Sequence, residues 1–476
     1  MANYGLPVTS SNATALVEYL DAFNAENEEN FSTTYTVPRC GCYNFDDKDV
    51  FIDPRRDCTT TDDDKKVSVK VDSLSQFASS LKQRGSIKAW KRAHELAKKS
   101  PVARTMLAAS VAPILLKVLG ERNFLMYVHA PTRAGKTTAL YLGASAVGND
   151  TMIRSFDATK NGLAGAAADV NDYVFLVDEK QVADNRLKEA FDNLVYALAN
   201  GLGRTKLNKD STLRKLADWR TIVIMTGETQ LLADNVTGGA NTRLLSIAAP
   251  KEILSPKDCK TIRAIIKDNH GLAFPLVIDK ILEIGKEKLC TIYEDIVETF
   301  VKANPNLLNE YCRYMAVIVL ADALLCAALA NTDNHDTQSD LSLFLDNAKL
   351  CAKEIFKLIP TTAEISDTDR ERDFVLGFIA QNQNRLIGGN VPLERILAVC
   401  GQFTDEYIYI TVAALKKACD EEGFDYRKLA ADLVAAGFFV PSNKVEKGYK
   451  TQQAFVQKKI GKANTRCYRI RTEDVQ

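Results

Sequence analysis

The sequence lacks a net charge, an export signal and a long uninterrupted apolar segment. Its 476 residues include 61 Lys plus Arg and 61 Asp plus Glu, so the formal net charge is zero. A strongly basic, histone-like nucleic-acid binder is therefore excluded, although a local basic patch is not. The first residues contain no charged segment followed by an apolar run, so we expect no export signal.

The most apolar stretches of the sequence are too interrupted to span a membrane. Residues 105–119 include Pro113 and Lys117, and residues 314–330 include Asp322. Neither stretch supplies the roughly 18 clean apolar residues that a membrane span needs. We therefore expect two buried helices and no membrane partner.

The 11 cysteines are scattered, odd in number and without regular spacing. This pattern indicates a reducing, cytoplasmic environment. Cys40, Cys42 and Cys58 could be considered as zinc ligands, but structural zinc usually takes four ligands in paired clusters, and no fourth Cys or His lies nearby in the sequence. Buried thiols in a strand region are the favoured interpretation.

Strand and helix patterns divide the chain into regions. Apolar runs at 124–128, 173–177 and 221–226 alternate with helical patterns, which predicts an α/β fold with a largely parallel sheet. Helical patterns dominate from 257 to 359, and a polar linker candidate follows at 360–369. We predict a mixed α+β N-terminal region (1–119), a core that contains the sheet (120–256), a helical lid (257–365) and a C-terminal DNA-binding domain (366–476).

The sharpest motif is HAPTRAGKTT at 129–138, between a predicted strand and a predicted helix at 135–146. This is the context of a phosphate-binding P-loop, in which backbone N–H groups and the positive helix end surround the phosphates. Lys136 is expected to reach the β- and γ-phosphates of ATP, and the Thr137 hydroxyl to bind Mg²⁺. Ala130 replaces the usual first glycine and cannot adopt a positive φ cheaply, so the loop could be slightly distorted. The expected nucleotide-binding residues are Ala130, Pro131, Thr132, Arg133, Ala134, Gly135, Lys136, Thr137 and Thr138.

Two adjacent carboxylates follow the second apolar run, as in a Walker B motif. Asp178 is expected to hold Mg²⁺ directly or through water, and Glu179 to act as general base on the attacking water. Such a pair at a strand end is costly unless a cation compensates. The alternative is that Asp178 and Glu179 only cap the next helix. For the loop at 129–138, the alternative is a solvent-facing turn.

Three further residues are candidates for contacts with the terminal phosphate or the attacking water. Thr226 ends the third apolar run and could orient the attacking water, or could simply begin a polar turn. Arg243 follows a glycine turn and could be an arginine finger in a neighbouring subunit's site, an effect of about 10³–10⁵ in rate, or an ordinary surface arginine. Arg313 precedes the apolar run at 314–330 and could be a second sensor on the γ-phosphate.

Two basic segments are candidates for DNA contacts. Residues 201–219 lie between the second and third apolar runs and could grip a threaded strand in a ring pore. Residues 405–471 read as a winged helix, and residues 441–476 contain nine basic and three acidic residues. A solvated loop and a protein-docking winged helix are the alternatives. The expected DNA-binding residues are Arg204, Lys206, Lys209, Lys447, Lys450, Lys458 and Lys459.

These motifs, in this order, resemble a known family, domain of unknown function 927, which is found in replication proteins of phages and mobile elements and in helicases of cassette chromosomes. The resemblance covers roughly the first 250 residues, from GLPVTSSNATALVEYL through FLVDE, YALANGLGRTK and WRTIVIMTGE to GGANTRLLSI. It implies an AAA+-like or superfamily-three-like ATPase ring with helicase activity. The family's GKTT, DE and TGE roles fall on Lys136, Thr137, Asp178, Glu179 and Thr226. Many relatives carry an upstream primase region, and none is expected here because the chain begins near the first family motif.

The combined prediction is a cytoplasmic, ring-forming DNA helicase or translocase that uses ATP and Mg²⁺ in the replication of a phage or mobile element. We expect a homo-oligomeric ring, a hexamer, with single-stranded DNA in its pore and duplex DNA at the winged helix. One alternative is a DNA-binding initiator or regulatory ATPase that does not unwind DNA. Another is a nucleotide-stabilised DNA-binding module that does not hydrolyse ATP.

Overall fold

The structure, a computed structural model, describes most of the chain. The described residues are 9, 11–27, 34–45, 48–56, 58–62, 65–72, 77–155, 160–178, 195–203, 217–228, 242–332, 341–362, 364, 367–388, 399–422, 424–446, 449–460 and 463–475.

The N-terminal region combines one helix with two small sheets. Helix α1 spans Ala13–Glu26, and the strands are β1 Thr34–Val37, β2 Gly41–Phe45, β3 Lys48–Ile52, β4 Cys58–Asp62 and β5 Lys65–Val71. Strands β1, β5 and β4 form one sheet, and β2 and β3 form an antiparallel pair. Cys40 and Cys58 are buried, and no cluster of potential metal ligands occurs within the described ranges. Burial raises the pKa of the Cys40 thiol, as is typical of an unreactive buried cysteine.

Three helices lead from these sheets to the central one. They are α2 Ile87–Ala97, α3 Pro101–Val111 and α4 Pro113–Leu119. Ser100 caps α3, because its hydroxyl accepts a hydrogen bond from the Ala103 N–H.

The central sheet has five parallel strands in the order β10-β6-β9-β8-β7. They are β6 Phe124–His129, β7 Arg154–Ser155, β8 Phe175–Asp178, β9 Ile222–Gly227 and β10 Leu244–Ala248. Strands β6, β8 and β9 are apolar almost throughout, as expected of a parallel sheet covered on both faces. The predicted strands and their largely parallel arrangement are confirmed. Since parallel strands all end at one edge of the sheet, the segments after β6, β8 and β9 meet there.

Helices cover this sheet and share its core. Helix α5, Lys136–Val147, follows β6, and α6, Lys160–Val170, precedes β8. Helix α3 packs against both α5 and β9, so the helices before residue 120 belong to the same hydrophobic core as the sheet. That core is continuous from Cys40 to Ile359, and the division of residues 1–365 into three units remains a prediction.

In the described part of the chain five helices follow the sheet, in agreement with the helical patterns predicted from 257 to 359. They are α7 Pro256–Asp268, α8 Ala273–Ile284, α9 Lys286–Ala303, α10 Asn309–Ala330 and α11 Leu341–Phe356. Helix α10 is the one described single helix that is long and apolar enough to cross a membrane, and α3 with α4 pass the same test only as a bent pair. Helix α10 packs against α3, α8, α9 and α11, which confirms the prediction of a buried helix.

The C-terminal unit has its own hydrophobic core. It contains α12 Asp367–Gln381, α13 Val412–Glu422 and α14 Tyr426–Ala435. A five-stranded sheet has the order β11-β12-β13-β17-β16, with β14 and β15 as a separate hairpin. Its strands are β11 Leu386–Ile387, β12 Gly401–Phe403, β13 Tyr407–Thr411, β14 Ser442–Glu446, β15 Tyr449–Gln453, β16 Val456–Ile460 and β17 Ala463–Arg471. Strand β13 is followed by two helices and then by strands β14–β17, and the winged-helix assignment of this unit stays a prediction.

Candidate functional site

The loop between β6 and α5 is built as the sequence predicts. The Ala130 N–H donates to the Gly227 carbonyl at 3.2 Å, which attaches the start of the loop to the end of β9. Gly135 precedes α5 with a φ of 99°, where a side chain would be strained, and a Cβ there would lie 3.0 Å from Leu254 Cβ. Within the described residues, Arg133 and Asp172 are the non-glycine residues with positive φ. Ala130 is not among them, so its replacement of glycine causes no backbone strain.

Lys136 begins α5 and reaches back over the loop. Its side chain is buried, and its Nζ donates to the carbonyl oxygens of Ala130 and Pro131, the latter at 3.0 Å. Burial, and secondarily the charge of Lys136, lower the pKa of His129, so this neighbouring imidazole is neutral at pH 7. The loop thus holds the Lys136 ammonium group against two of its own backbone carbonyl oxygens.

The ends of β8 and β9 are joined by a hydroxyl–carboxylate hydrogen bond. Asp178 and Thr226 are register partners, and Thr226 Oγ1 donates to Asp178 Oδ1 at 2.9 Å. Thr226 is buried, whereas Asp178 is half-buried and faces the loop across an open cleft. The two residues that the sequence placed at separate strand tips therefore form one polar pair.

A cleft of about 1080 Å³ contains these groups. It holds the cations Arg133, Lys136, Lys260 and Arg263 against the carboxylates of Asp178 and Glu228, so its described lining has an excess of positive charge. That charge and the loop's backbone suit a polyphosphate anion. Hydroxyl and carboxylate oxygens are what Mg²⁺ accepts beside phosphate oxygens, and Thr137 and Asp178 supply them. The lining residues are Thr132, Arg133, Ala134, Gly135, Lys136, Thr137, Thr138, Asp178, Thr226, Glu228, Pro256, Cys259, Lys260 and Arg263.

Three charged residues that line this cleft were not predicted from the sequence, namely Glu228, Lys260 and Arg263. Arg263 lies on α7, and its Nε donates to Thr138 Oγ1 at 2.9 Å. Lys260 lies one turn earlier on the same helix, and Glu228 accepts a hydrogen bond from Thr132 Oγ1 at 2.6 Å. Of these three residues only Glu228 had a sequence signal, since it closes the TGE motif. Arg263 and Lys260 had none, because α7 brings Arg263 to Thr138 from 125 positions away in the sequence.

Arg313 does not line the described cleft, and its role as a second sensor on the γ-phosphate stays a prediction. Its Nε donates a hydrogen bond to Glu121 Oε1 at 2.9 Å. Glu121 comes just before β6 and therefore lies at the amino edge of the sheet. The guanidinium also lies 5.5 Å from the centre of the Tyr293 ring. The near-complete burial of Glu121 explains this location, since a buried carboxylate needs a cationic partner.

Arg243 also lies at the amino edge. It immediately precedes β10, its carbonyl accepts a hydrogen bond from the Leu125 N–H, and its guanidinium lies 5.0 Å from the centre of the Tyr196 ring. The six residues of β6 separate this edge from the phosphate-binding loop, which corresponds to roughly 20 Å. Any action of Arg243 on a nucleotide therefore concerns another subunit, as the prediction of a finger in trans requires.

Five of the remaining predicted site residues lie outside the described residues: Glu179, Arg204, Lys206, Lys209 and Lys447. For Lys450, which lies on β15, the structure describes the backbone and not the side chain.

On β16, Lys459 is exposed, and Lys458 Nζ lies 4.5 Å from the centre of the Tyr409 ring. On β17, Arg469 lies 5.1 Å from the Tyr407 ring centre, so cations and tyrosines alternate on this sheet.

Comparisons with known proteins match both ends of the chain. Residues 1–218 match the family model for the domain of unknown function DUF927, and residues 366–475 match the model for the Cch helix turn helix domain. No curated protein matches the sequence.

One solved structure, described as "SCCmec type IV Cch - active helicase", is similar along almost the whole chain. The similarity covers 99% of this chain and 84% of that chain, with a TM-score of 0.69 and 18% sequence identity, which shows a shared fold. A JCV helicase bound to a thiazolopyridine acetamide compound has 11% identity over 56% of this chain and 73% of that chain, but its TM-score of 0.20 supports no argument.

The chain is thus a mixed α/β protein that is built on a parallel sheet and shares its fold with a solved helicase. Its N-terminal region is similar to the DUF927 family, and its C-terminal unit is similar to the Cch helix turn helix domain. The resemblance predicted from the sequence is confirmed.

Proposed function

We propose that the protein is an ATP-dependent, ring-forming DNA helicase or translocase with an AAA+-like P-loop core that acts in the replication of a phage or mobile element. The observation that carries this proposal is the single cleft that Lys136, Thr137, Asp178 and Thr226 line together. A lysine-containing loop facing a strand-end carboxylate is the arrangement in which P-loop enzymes hold a nucleoside triphosphate and its metal.

In this proposal the cleft binds ATP through its own cations. Lys136 exchanges its loop carbonyl partners for phosphate oxygens, which are stronger acceptors because they are charged. Thr137 and Asp178 would hold Mg²⁺, which when bound supplies positive charge to the phosphates. Thr226 orients the Asp178 carboxylate, and Glu179, outside the described residues, is the proposed general base.

A ring is proposed because Arg243, the predicted arginine finger, does not line the described cleft of its own subunit. Arg243 lies at the opposite edge of the sheet from Lys136. If the amino edge of one subunit packs against the carboxyl edge of the next, Arg243 enters the neighbour's cleft and stabilises the charge of the transferred phosphate. A hexamer is the proposed ring.

DNA is proposed to contact two regions. The segment 201–219, mostly outside the described residues, would face the pore and bind single-stranded phosphates. The helix–turn–helix unit, with Lys458 and Lys459 on its β16–β17 hairpin, would bind duplex DNA as a winged helix. The described activity of the Cch structure, an active helicase, supports this assignment by similarity of fold.

The test is ATP hydrolysis with and without single-stranded DNA, combined with the native mass of the assembly. We expect hydrolysis that DNA stimulates and a mass of several 52.6 kDa subunits. A protein that binds no nucleotide would refute the proposal. Hydrolysis without strand separation on a forked duplex would leave an initiator or regulatory ATPase.

The DNA contacts of the C-terminal unit need a separate measurement. Removal of residues 366–476 should weaken duplex binding and reduce the slope of log affinity against log salt, because each lost phosphate contact removes about 0.9 from that slope. An unchanged slope would remove this unit from the DNA-binding proposal.

A further inference from the structure

Glu228 attaches the end of β9 to the phosphate-binding loop. Its Oε1 accepts a hydrogen bond from Thr132 Oγ1 at 2.6 Å. One residue earlier, the Gly227 carbonyl accepts a hydrogen bond from the Ala130 N–H at 3.2 Å. The first half of the loop is therefore held against β9 by one backbone bond and one side-chain bond.

The side-chain bond can be exchanged more easily than the backbone bond. Thr132 and Glu228 are both exposed, whereas Ala130 and Gly227 are buried. A hydrogen bond between exposed side chains contributes little net stability, because water competes for both partners. A phosphate oxygen competes for the Thr132 hydroxyl in the same way, since it is also an anionic acceptor.

The two carboxylates of the described cleft differ in their surroundings. Asp178 is half-buried, bonded to Thr226, and beside the hydroxyl of Thr137 with which it can share a metal ion. Glu228 is exposed and has the neutral hydroxyl of Thr132 as its partner. A metal ion at Asp178 would offset the charge of that carboxylate, so among the described lining residues Glu228 is the carboxylate left to repel a bound triphosphate.

We propose that Glu228 is a positioning residue for ATP hydrolysis. The terminal phosphate displaces Glu228 from Thr132, and the released carboxylate accepts a hydrogen bond from the attacking water. The water oxygen then bonds to the γ-phosphorus as the bond to the ADP oxygen breaks, and the water proton passes to Glu179. Glu228 orients the water without taking its proton. This inference rests on the proposed ATPase function.

The experiment compares ADP with a non-hydrolysable β,γ-imido analogue of ATP in the full-length chain. Glu228→Gln keeps the shape of the side chain and removes its charge. We expect an unchanged Kd for ADP, a Kd for the analogue that is about three- to tenfold lower because the repulsion is gone, and a kcat that falls about tenfold or more. Glu228→Asp, which keeps the charge, should recover part of the kcat. Glu252→Gln is the matched control, because Glu252 is exposed near the loop but does not line the cleft.

A second variant tests the bond to Thr132. Thr132→Val removes the hydroxyl that the terminal phosphate takes over and leaves the charge of Glu228 in place, so we expect it to raise the ratio of analogue Kd to ADP Kd, opposite to Glu228→Gln. The double variant should depart from the product of the two single shifts, because Thr132 and Glu228 are partners in one hydrogen bond.

Three results would overturn the inference. The first is a Glu228→Gln protein with wild-type kcat and a wild-type ratio of analogue Kd to ADP Kd. The second is an equal loss of ADP and analogue binding in Glu228→Gln, which would indicate that Glu228 only supports the loop, and the third is a double variant whose two shifts multiply. Absence of ADP binding by the wild-type protein would instead refute the proposed function itself, so the two failures are distinguishable.

Discussion

The two edges of the central sheet contain similar side chains in opposite arrangements. At the carboxyl edge, Lys136 and Asp178 face an open cleft of about 1080 Å³. At the amino edge, Arg313 is bonded to Glu121, whose side chain is 8% exposed and also accepts a hydrogen bond from the Tyr293 hydroxyl at 2.8 Å. A cation that neutralises a buried carboxylate is costly to remove, whereas cations lining a cleft can take an anionic ligand. The comparison separates arginines that stabilise the fold from cations that can bind a nucleotide.

The largest effect is expected at the carboxyl edge. Lys136→Ala removes the cation that the loop holds over its own carbonyls, and nucleotide affinity should fall by about 100-fold or more. Isothermal titration with ADP measures this loss. Lys251→Ala, at an exposed position outside the cleft, should bind normally, and unchanged affinity of Lys136→Ala would refute the loop assignment.

The next effect tests whether the amino edge acts on a neighbouring subunit. Arg243→Ala should lower turnover by about 10³-fold and leave nucleotide affinity unchanged. Rings that mix Arg243→Ala with Lys136→Ala subunits should recover activity, because some interfaces then pair an intact arginine with an intact loop. Mixed rings as inactive as either parent would contradict action in trans.

A smaller effect is expected from the residue that α7 contributes to the cleft. Arg263→Ala should weaken nucleotide binding by roughly tenfold, since one charge-assisted contact is lost at an exposed position. Lys267→Ala, on the same helix but outside the cleft, is the matched control. Equal affinities of the two variants would show that Arg263 only packs against Thr138.

The smallest effect on nucleotide binding is expected from Arg313. Arg313→Ala should leave the affinity for the β,γ-imido analogue of ATP unchanged and lower the free energy of unfolding by about 1–2 kcal/mol, because Glu121 loses a charged partner. Urea unfolding measures the second quantity, and Arg313→Lys should restore part of it. A clear loss of analogue affinity with unchanged ADP affinity would support the predicted contact of Arg313 with the γ-phosphate.

Local patterns predicted the elements on either side of the loop, because these elements are continuous in the sequence. The loop, its lysine and the flanking strand and helix lie within 24 residues, and β6 and α5 have ends that lie no more than one residue from their predicted bounds.

Contacts between distant residues could not be predicted from such patterns. Arg313 and Glu121 are 192 positions apart, and nothing near Arg313 in sequence announces a buried carboxylate. Likewise, helix α3 was assigned to the N-terminal region because it precedes β6, yet its buried residues pack against α5 and β9. A sequence pattern shows that a face is apolar but does not show which element covers it.

The strand order has a consequence for how the protein can be divided and how it is synthesised. Strand β6 lies between β9 and β10, and both of those strands come after residue 218, where the DUF927 match ends. A fragment of residues 1–218 would leave both hydrogen-bonding edges of β6 without their partners, and the face of α3 that α10 covers would be open to water. The ribosome must therefore synthesise more than 100 residues after the loop between β6 and α5 before both neighbouring strands, β9 and β10, are present. During that interval the nascent chain exposes apolar surface that chaperones bind.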